Sequence, residues 1–223
     1  MTTQLPGSEI PPRHAGSRLA AWRRGKTLAA LEGVFWGIAV LALGWFCFVH
    51  ADSFVYQANA ARKLDALLRT NSKPAVSGIQ NVPAGAPLGR IEIPHLRLSV
   101  VVVQGDDDLS LRRAVGHIPG TALPGDSGNV VLAAHRDSFF RNLGKLRTGD
   151  LIVLKDARGT QRYRVALAAV VAQDNVDVLK PSNSSVLTLV TCFPFRYVGS
   201  APDRYVVSAS QVSGNASGAR DGL

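Results

Sequence analysis

Cysteine is scarce in this chain of 223 residues: there are two, Cys47 and Cys192. Methionine occurs once, and charged residues make up only 18%. Two cysteines exclude a disulfide framework. Cys47 lies inside an apolar run, so it is not expected to meet Cys192, and Cys192 stands as a lone thiol. Acid is nearly missing at the start: residues 1–27 hold Arg13, Arg18, Arg23, Arg24 and Lys26 against Glu9 alone. From Pro87 onward, 16 Lys/Arg face 12 Asp/Glu, so the net charge of +9 is partly a property of the N-terminal tail. A basic folded face with interleaved aromatics is absent, which argues against nucleic-acid binding. Also missing is any paired His/Cys/acid spacing for a metal. The run Asp106-Asp107-Asp108 could bind Ca²⁺, but an acidic triplet is more often a solvated turn, here placed to cap a helix. Neither a metal nor a cofactor is expected, and there is no internal repeat.

What is present begins with an apolar run. Gly33–Val49 is 17 residues without a charge. A spanning helix takes about 20 mostly apolar residues, with a lower limit of about 17. Trp36 and Trp45 fall toward its ends, where indole rings favour the membrane interface. The basic residues before the run predict that the N-terminus stays inside. The expectation is a cytoplasmic tail over residues 1–27 and a transmembrane signal anchor over 28–49. The rest of the chain would then lie outside the cytoplasmic membrane, at the cell surface or in a periplasm. The small residues Ala58-Asn59-Ala60 offer a cleavage site, but the apolar run is long for a removed signal, where about 7–15 residues is typical. Residues 54–69 favour helix, and Asn71–Pro87 is rich in Pro and Gly. Together residues 50–87 read as stalk and linker.

From Leu88 the pattern changes to short Val/Ile/Leu runs among turn residues. They are Gly89–Ile93, Leu98–Val103, Asn129–His135, Leu151–Leu154, Tyr163–Val171, Val186–Thr191 and Arg204–Ala209. This spacing predicts a mainly β sandwich or closed barrel. A hairpin turn is expected at Lys155–Gly159, and short helices at Leu109–Val115 and Ser138–Leu146. The domain would cover residues 88–209, and residues 210–223 read as a disordered tail.

Val186–Cys192 is an apolar strand ending in a thiol, and Pro194 then breaks the ladder. Asn129–His135 is a second such strand, ending in a histidine. A thiol nucleophile needs an imidazole to take its proton or lower its pKa. Acyl transfer also needs a fixed donor for the oxyanion, which a guanidinium supplies. After Cys192 the candidates are Arg196, in a loop, and Arg204, at a strand start. The strand position favours Arg204. His14, His50, His95 and His117 show that a single histidine means little, and His117, before Ile118-Pro119-Gly120, reads as a loop residue.

Thr188-Leu189-Val190-Thr191-Cys192 resembles the TLxTC signature of sortases, the bacterial cysteine transpeptidases. Gly89–Pro94 is similar to that family's opening strand. Ala134-His135-Arg136, with Phe139 and Leu143, resembles its histidine block, and Arg204–Val207 its arginine strand. The likeness runs from about Leu88 to Ala209. Ala134 departs from it, since family members often carry Gly before the histidine. Phe193–Gly199 resembles the loop of class D-like members. The resemblance implies an eight-stranded barrel with short helices. It implies catalysis by His135, Cys192 and Arg204, and cleavage of an LPxTG-like sorting signal. A thioester would then pass to an amine acceptor, either a peptidoglycan precursor or another protein. Envelope L,D-transpeptidases also use Cys and His, but their Ser/Thr-x-Gly-Cys setting is not matched by Thr191-Cys192. The other reading is a membrane-anchored β-domain that binds envelope components without catalysis, with Cys192 buried and inert.

Overall fold

The computed structural model describes residues 16–69, 82–197 and 199–212. The chain divides into two compact units, residues 1–50 and 51–223. Helix α1 (Gly16–Arg69) contributes to both.

In the first unit, side chains are described for residues 31–47, and the large apolar ones are exposed. The spanning segment expected at 28–49 is not recovered as an element of its own, because that run lies in the interior of α1. Among the described residues no helix is long and apolar enough to cross a membrane. The 17 side chains described there fall at the short end of the spanning range, about 17 residues. The cytoplasmic tail reading for residues 1–15, the linker over 70–81 and the tail over 213–223 lie outside the described residues.

The second unit is a closed barrel with strand order β1-β2-β3-β4-β7-β8-β6-β5. The strands are β1 (Pro87–Ile93), β2 (Leu98–Gln104), β3 (Val115–His117), β4 (Asn129–Ala133), β5 (Leu151–Asp156), β6 (Gly159–Ala172), β7 (Val186–Phe193) and β8 (Asp203–Gln211). β2–β3 and β4–β7 pair in parallel, and the remaining pairs are antiparallel. Helix α2 (Asp108–Arg113) links β2 to β3. Its first turn is capped by Asp107, whose carboxylate accepts from the N–H groups of Leu109 and Ser110, both at 3.1 Å. Those bonds, with the Ser110 hydroxyl foremost, hold the Asp107 carboxyl below its usual range. The acidic run thus caps a helix, as its spacing predicts.

Alternation sets the core. Ile91 and Ile93, Val100 and Val102, Val130 and Leu132, Ile152 and Leu154, and Leu187 and Leu189 point inward around one cluster. Each such side chain contributes about 1.5–3 kcal/mol. Val101 and Val103 face outward yet are fully buried, because α1 covers them with Ala60 and Ala61. Gln57 on α1 accepts from the Val101 N–H through Oε1 at 3.0 Å and donates to the Arg113 carbonyl at 2.5 Å. Residues 56–64 are therefore docked on β2 rather than standing as a free stalk. Ala60, part of the small-residue cleavage candidate, is 6% exposed inside this contact.

Three local expectations change. β3 is too short to show alternation, and His117 is its last residue, 1% exposed, rather than a loop residue. β4 ends at Ala133, two residues before His135. The stretch 138–146 is a set of turns with one 3-10 turn at Leu143–Lys145. Gly144 fits there because the Phe195 ring lies 2.7 Å from where its Cβ would be.

Candidate active site

β7 and β8 pair antiparallel, and Cys192 lies directly opposite Arg204. Such cross-strand partners have Cβ atoms about 4.5–5.5 Å apart and share a face. On β7, Leu187 and Leu189 are buried inward, so Val190 and Cys192 face out, and both are half-buried. β4 runs parallel to β7 with Ala133 opposite Val190. Extending that register by two residues sets His135 beside Cys192, on the same face. Two bonds carry the register past the end of β4. The Ala134 N–H donates to the Val190 carbonyl at 3.3 Å, and the buried Thr191 hydroxyl donates to the Ala134 carbonyl at 2.7 Å. Three strands thus bring together His135, Cys192 and Arg204, while Arg196 is exposed in the β7–β8 connection.

Cys192 is a free, half-buried thiol. The Arg204 guanidinium donates through Nη1 to the carbonyls of Ala201 at 3.3 Å and Asp203 at 3.0 Å. These bonds use one nitrogen and leave the rest of the fork for a ligand. His135 Nε2 lies 3.9 Å from Asp108 Oδ1, with the two side chains 35% and 67% exposed. Among the described residues, no hydrogen bond joins any two of His135, Cys192 and Arg204. That is common before a substrate closes the site.

Away from Cys192, the same face opens into a groove of about 300 Å³. Leu167, Ala169 and Val171 of β6 and Val206 of β8 form its apolar floor, and Val178 in the β6–β7 connection flanks it. Asn129 stands at its end, donating to the Val178 and Lys180 carbonyls at 2.9 and 3.1 Å and accepting from Thr188 at 2.7 Å.

His95 and His117 have structural partners. His95 Nδ1 lies 2.7 Å from Asp150 Oδ2. Desolvation pushes the Asp150 carboxyl up, but hydrogen bonds from the Arg147 N–H and His95 keep it below its usual range. Sequence reading gave no individual role to Asp108, Thr191 or Arg136. Asp108 stands in the acidic run, Thr191 in the TLxTC signature and Arg136 directly after His135, so the residues are visible while their partners are not.

The profile of the Sortase domain family matches residues 91–212. The chain belongs to the sortase family, whose members are cysteine transpeptidases. It is 34% identical over 130 residues to Sortase D of Bacillus subtilis (strain 168), covering 58% of this chain and 66% of that protein. The chain thus spans just under two thirds of that relative's length. Among solved structures, a Clostridium perfringens Sortase D5 transpeptidase superposes with a TM-score of 0.63 at 24% identity, covering 71% of this chain and 99% of the other. A Clostridium perfringens sortase C, solved with the C-terminal cell wall sorting motif, superposes at 0.56 with 27% identity, covering 73% and 90%.

Proposed function

We propose that this chain is a membrane-anchored cysteine transpeptidase with Cys192 as nucleophile, His135 as proton carrier and Arg204 as oxyanion donor. The observation that carries this reading is the register: Cys192 and Arg204 are cross-strand partners, and the extension of β4 sets His135 beside them on one exposed face. The Cys192 thiol gives its proton to His135 as Sγ attacks a peptide carbonyl. Arg204 holds the resulting oxyanion. Collapse breaks the peptide bond, His135 protonates the leaving amine, and a thioester remains on Cys192. An acceptor amine then attacks the thioester and gives its proton to His135; collapse breaks the carbonyl–sulfur bond, forms the new amide, and the proton returns from His135 to the released Cys192 thiolate.

The substrate class is an LPxTG-like sorting signal, supported by the apolar groove and by the related sortase C solved with the C-terminal cell wall sorting motif. The acceptor is a peptidoglycan precursor amine or an amine of another protein. Attachment to the cytoplasmic membrane, with the barrel outside, rests on three features. Gly33–Val49 carries no charge, five basic residues precede it, and the large apolar side chains from Leu31 to Phe46 are 57–75% exposed. The test uses the full chain in detergent with an LPxTG-like peptide library and an amine acceptor, read by mass spectrometry. Amine-dependent product that disappears in Cys192→Ala supports the reading. No product, with Cys192 inert to a thiol reagent, favours a binding domain instead.

A further inference from the structure

The eleven residues between Cys192 and Arg204 form the β7–β8 connection and its flanks. Among its described residues, no backbone–backbone hydrogen bond holds Pro194–Pro202 in place. The side chain next to His135 does. Arg136 Nη1 donates to the Pro194 carbonyl at 3.0 Å, and Nη2 donates to the carbonyls of Tyr197 at 3.1 Å and Gly199 at 2.9 Å. Its guanidinium also lies over the Tyr197 ring, 5.7 Å from the centroid. On the other side Phe195 packs on Phe193, Tyr205 and Gly144. The connection is therefore pinned by one aromatic ring and one cation. Its last turn carries the Ala201 carbonyl, to which Arg204 donates.

We propose that Arg136 is a positioning residue that holds the Cys192–Arg204 connection and, through it, the aim of Arg204 at the reacting carbonyl. The inference rests on the catalytic reading of Cys192, His135 and Arg204 given above. The chemistry favours Arg at this position. Three carbonyls at different heights need a planar fork with several donors, and the same plane stacks on Tyr197. A lysine ammonium reaches fewer of them. Because Arg136 follows His135 directly, the same residue ties the end of β4 to the segment leaving Cys192. One guanidinium thus couples the elements that carry all three groups.

The test has two independent readouts on the full chain. In hydrogen–deuterium exchange, Arg136→Gln speeds exchange across residues 193–203 and leaves β2 and β5 unchanged, with Arg136→Lys between it and wild type. In kinetics, Arg136→Gln lowers kcat/KM for the peptide by roughly 10²-fold, the scale of a small misplacement of a catalytic group. In an Arg204→Gln background the same change costs less than about threefold, because the group being aimed is gone. A role confined to stability predicts equal losses in both backgrounds. Unchanged exchange over 193–203 overturns the proposal, and so do equal losses. Where Arg136→Gln fails to fold, Arg136→Lys and Tyr197→Leu carry the same comparison. If the wild-type chain makes no product, the transpeptidase reading fails, and the exchange result alone decides whether Arg136 holds the connection.

Discussion

Strands β3 and β4 are neighbours, and each leads into a histidine with an opposite environment. His117 ends β3, is 1% exposed and has both ring nitrogens engaged. Its Nε2–H donates to the Ala122 carbonyl at 2.9 Å, and Nδ1 pairs with the side-chain amide of Gln104 at 2.9 Å. Burial pushes its pKa down, only partly offset by the Ala122 carbonyl and the charge of Asp106. His135, two residues past β4, is 35% exposed, and among the described residues its ring has no polar side-chain partner closer than the Asp108 carboxylate at 3.9 Å. The fold has committed one imidazole to structure and left the other open, which is the condition the proposed proton carrier needs. A general base must exchange protons with a substrate, so a ring whose nitrogens are already committed is unfit for the task.

That contrast can be broken by substitution. The largest effects lie on the open side. Cys192→Ala removes the nucleophile and all amine-dependent product. His135→Gln lowers kcat/KM by roughly 10²–10⁴-fold, the usual contribution of a positioned acid–base, with the melting temperature little changed. Arg204→Lys keeps the charge but loses the fork, and kcat falls by about 10²-fold while Cys192 still labels with a thiol reagent. The closed histidine behaves the other way. His117→Ala orphans buried polar groups and costs about 1–3 kcal/mol in chemical denaturation, while the kcat of the folded protein stays within a few-fold of wild type.

His117 also sets a pH dependence. Its folded pKa lies below the unfolded value of about 6.5. Its contribution to stability is therefore present above about pH 6.5 and is lost as pH falls through the folded pKa. Denaturation midpoints measured at pH 7.5 and 5 drop with acid in wild type and drop less in His117→Gln. The smallest effect expected is at Asp108. An exposed pair at 3.9 Å is worth about 0–1 kcal/mol, so Asp108→Asn changes kcat/KM by less than about fivefold. A larger loss would move Asp108 into the machinery beside His135.

The same contrast explains how much the chain reveals by itself. Seven of the eight strands are legible as apolar runs, because a sheet with one buried face writes period two into the sequence. β3 is hidden, since three residues carry no period, and with it the structural use of His117. Cys192 and Arg204 are visible because each sits where an apolar run meets a break. Their pairing depends on register, which no local pattern records. α1 docks on Val101 and Val103, and this is written only as an unbroken Val100–Val103 run that alternation alone would leave half-exposed. Arg136 acts on carbonyls some sixty residues away in sequence, and backbone acceptors leave no residue-type signal.

The most direct test of the central claim is to trap the acyl-enzyme. The full chain is mixed with an LPxTG-like peptide without amine acceptor, quenched in acid and digested, and the peptide carrying Cys192 is weighed. A thioester on Cys192 that vanishes on adding amine, and is absent in Cys192→Ala, is the result this account predicts. Amine-dependent product formed with Cys192 never acylated, or formed equally well by Cys192→Ala, would contradict it.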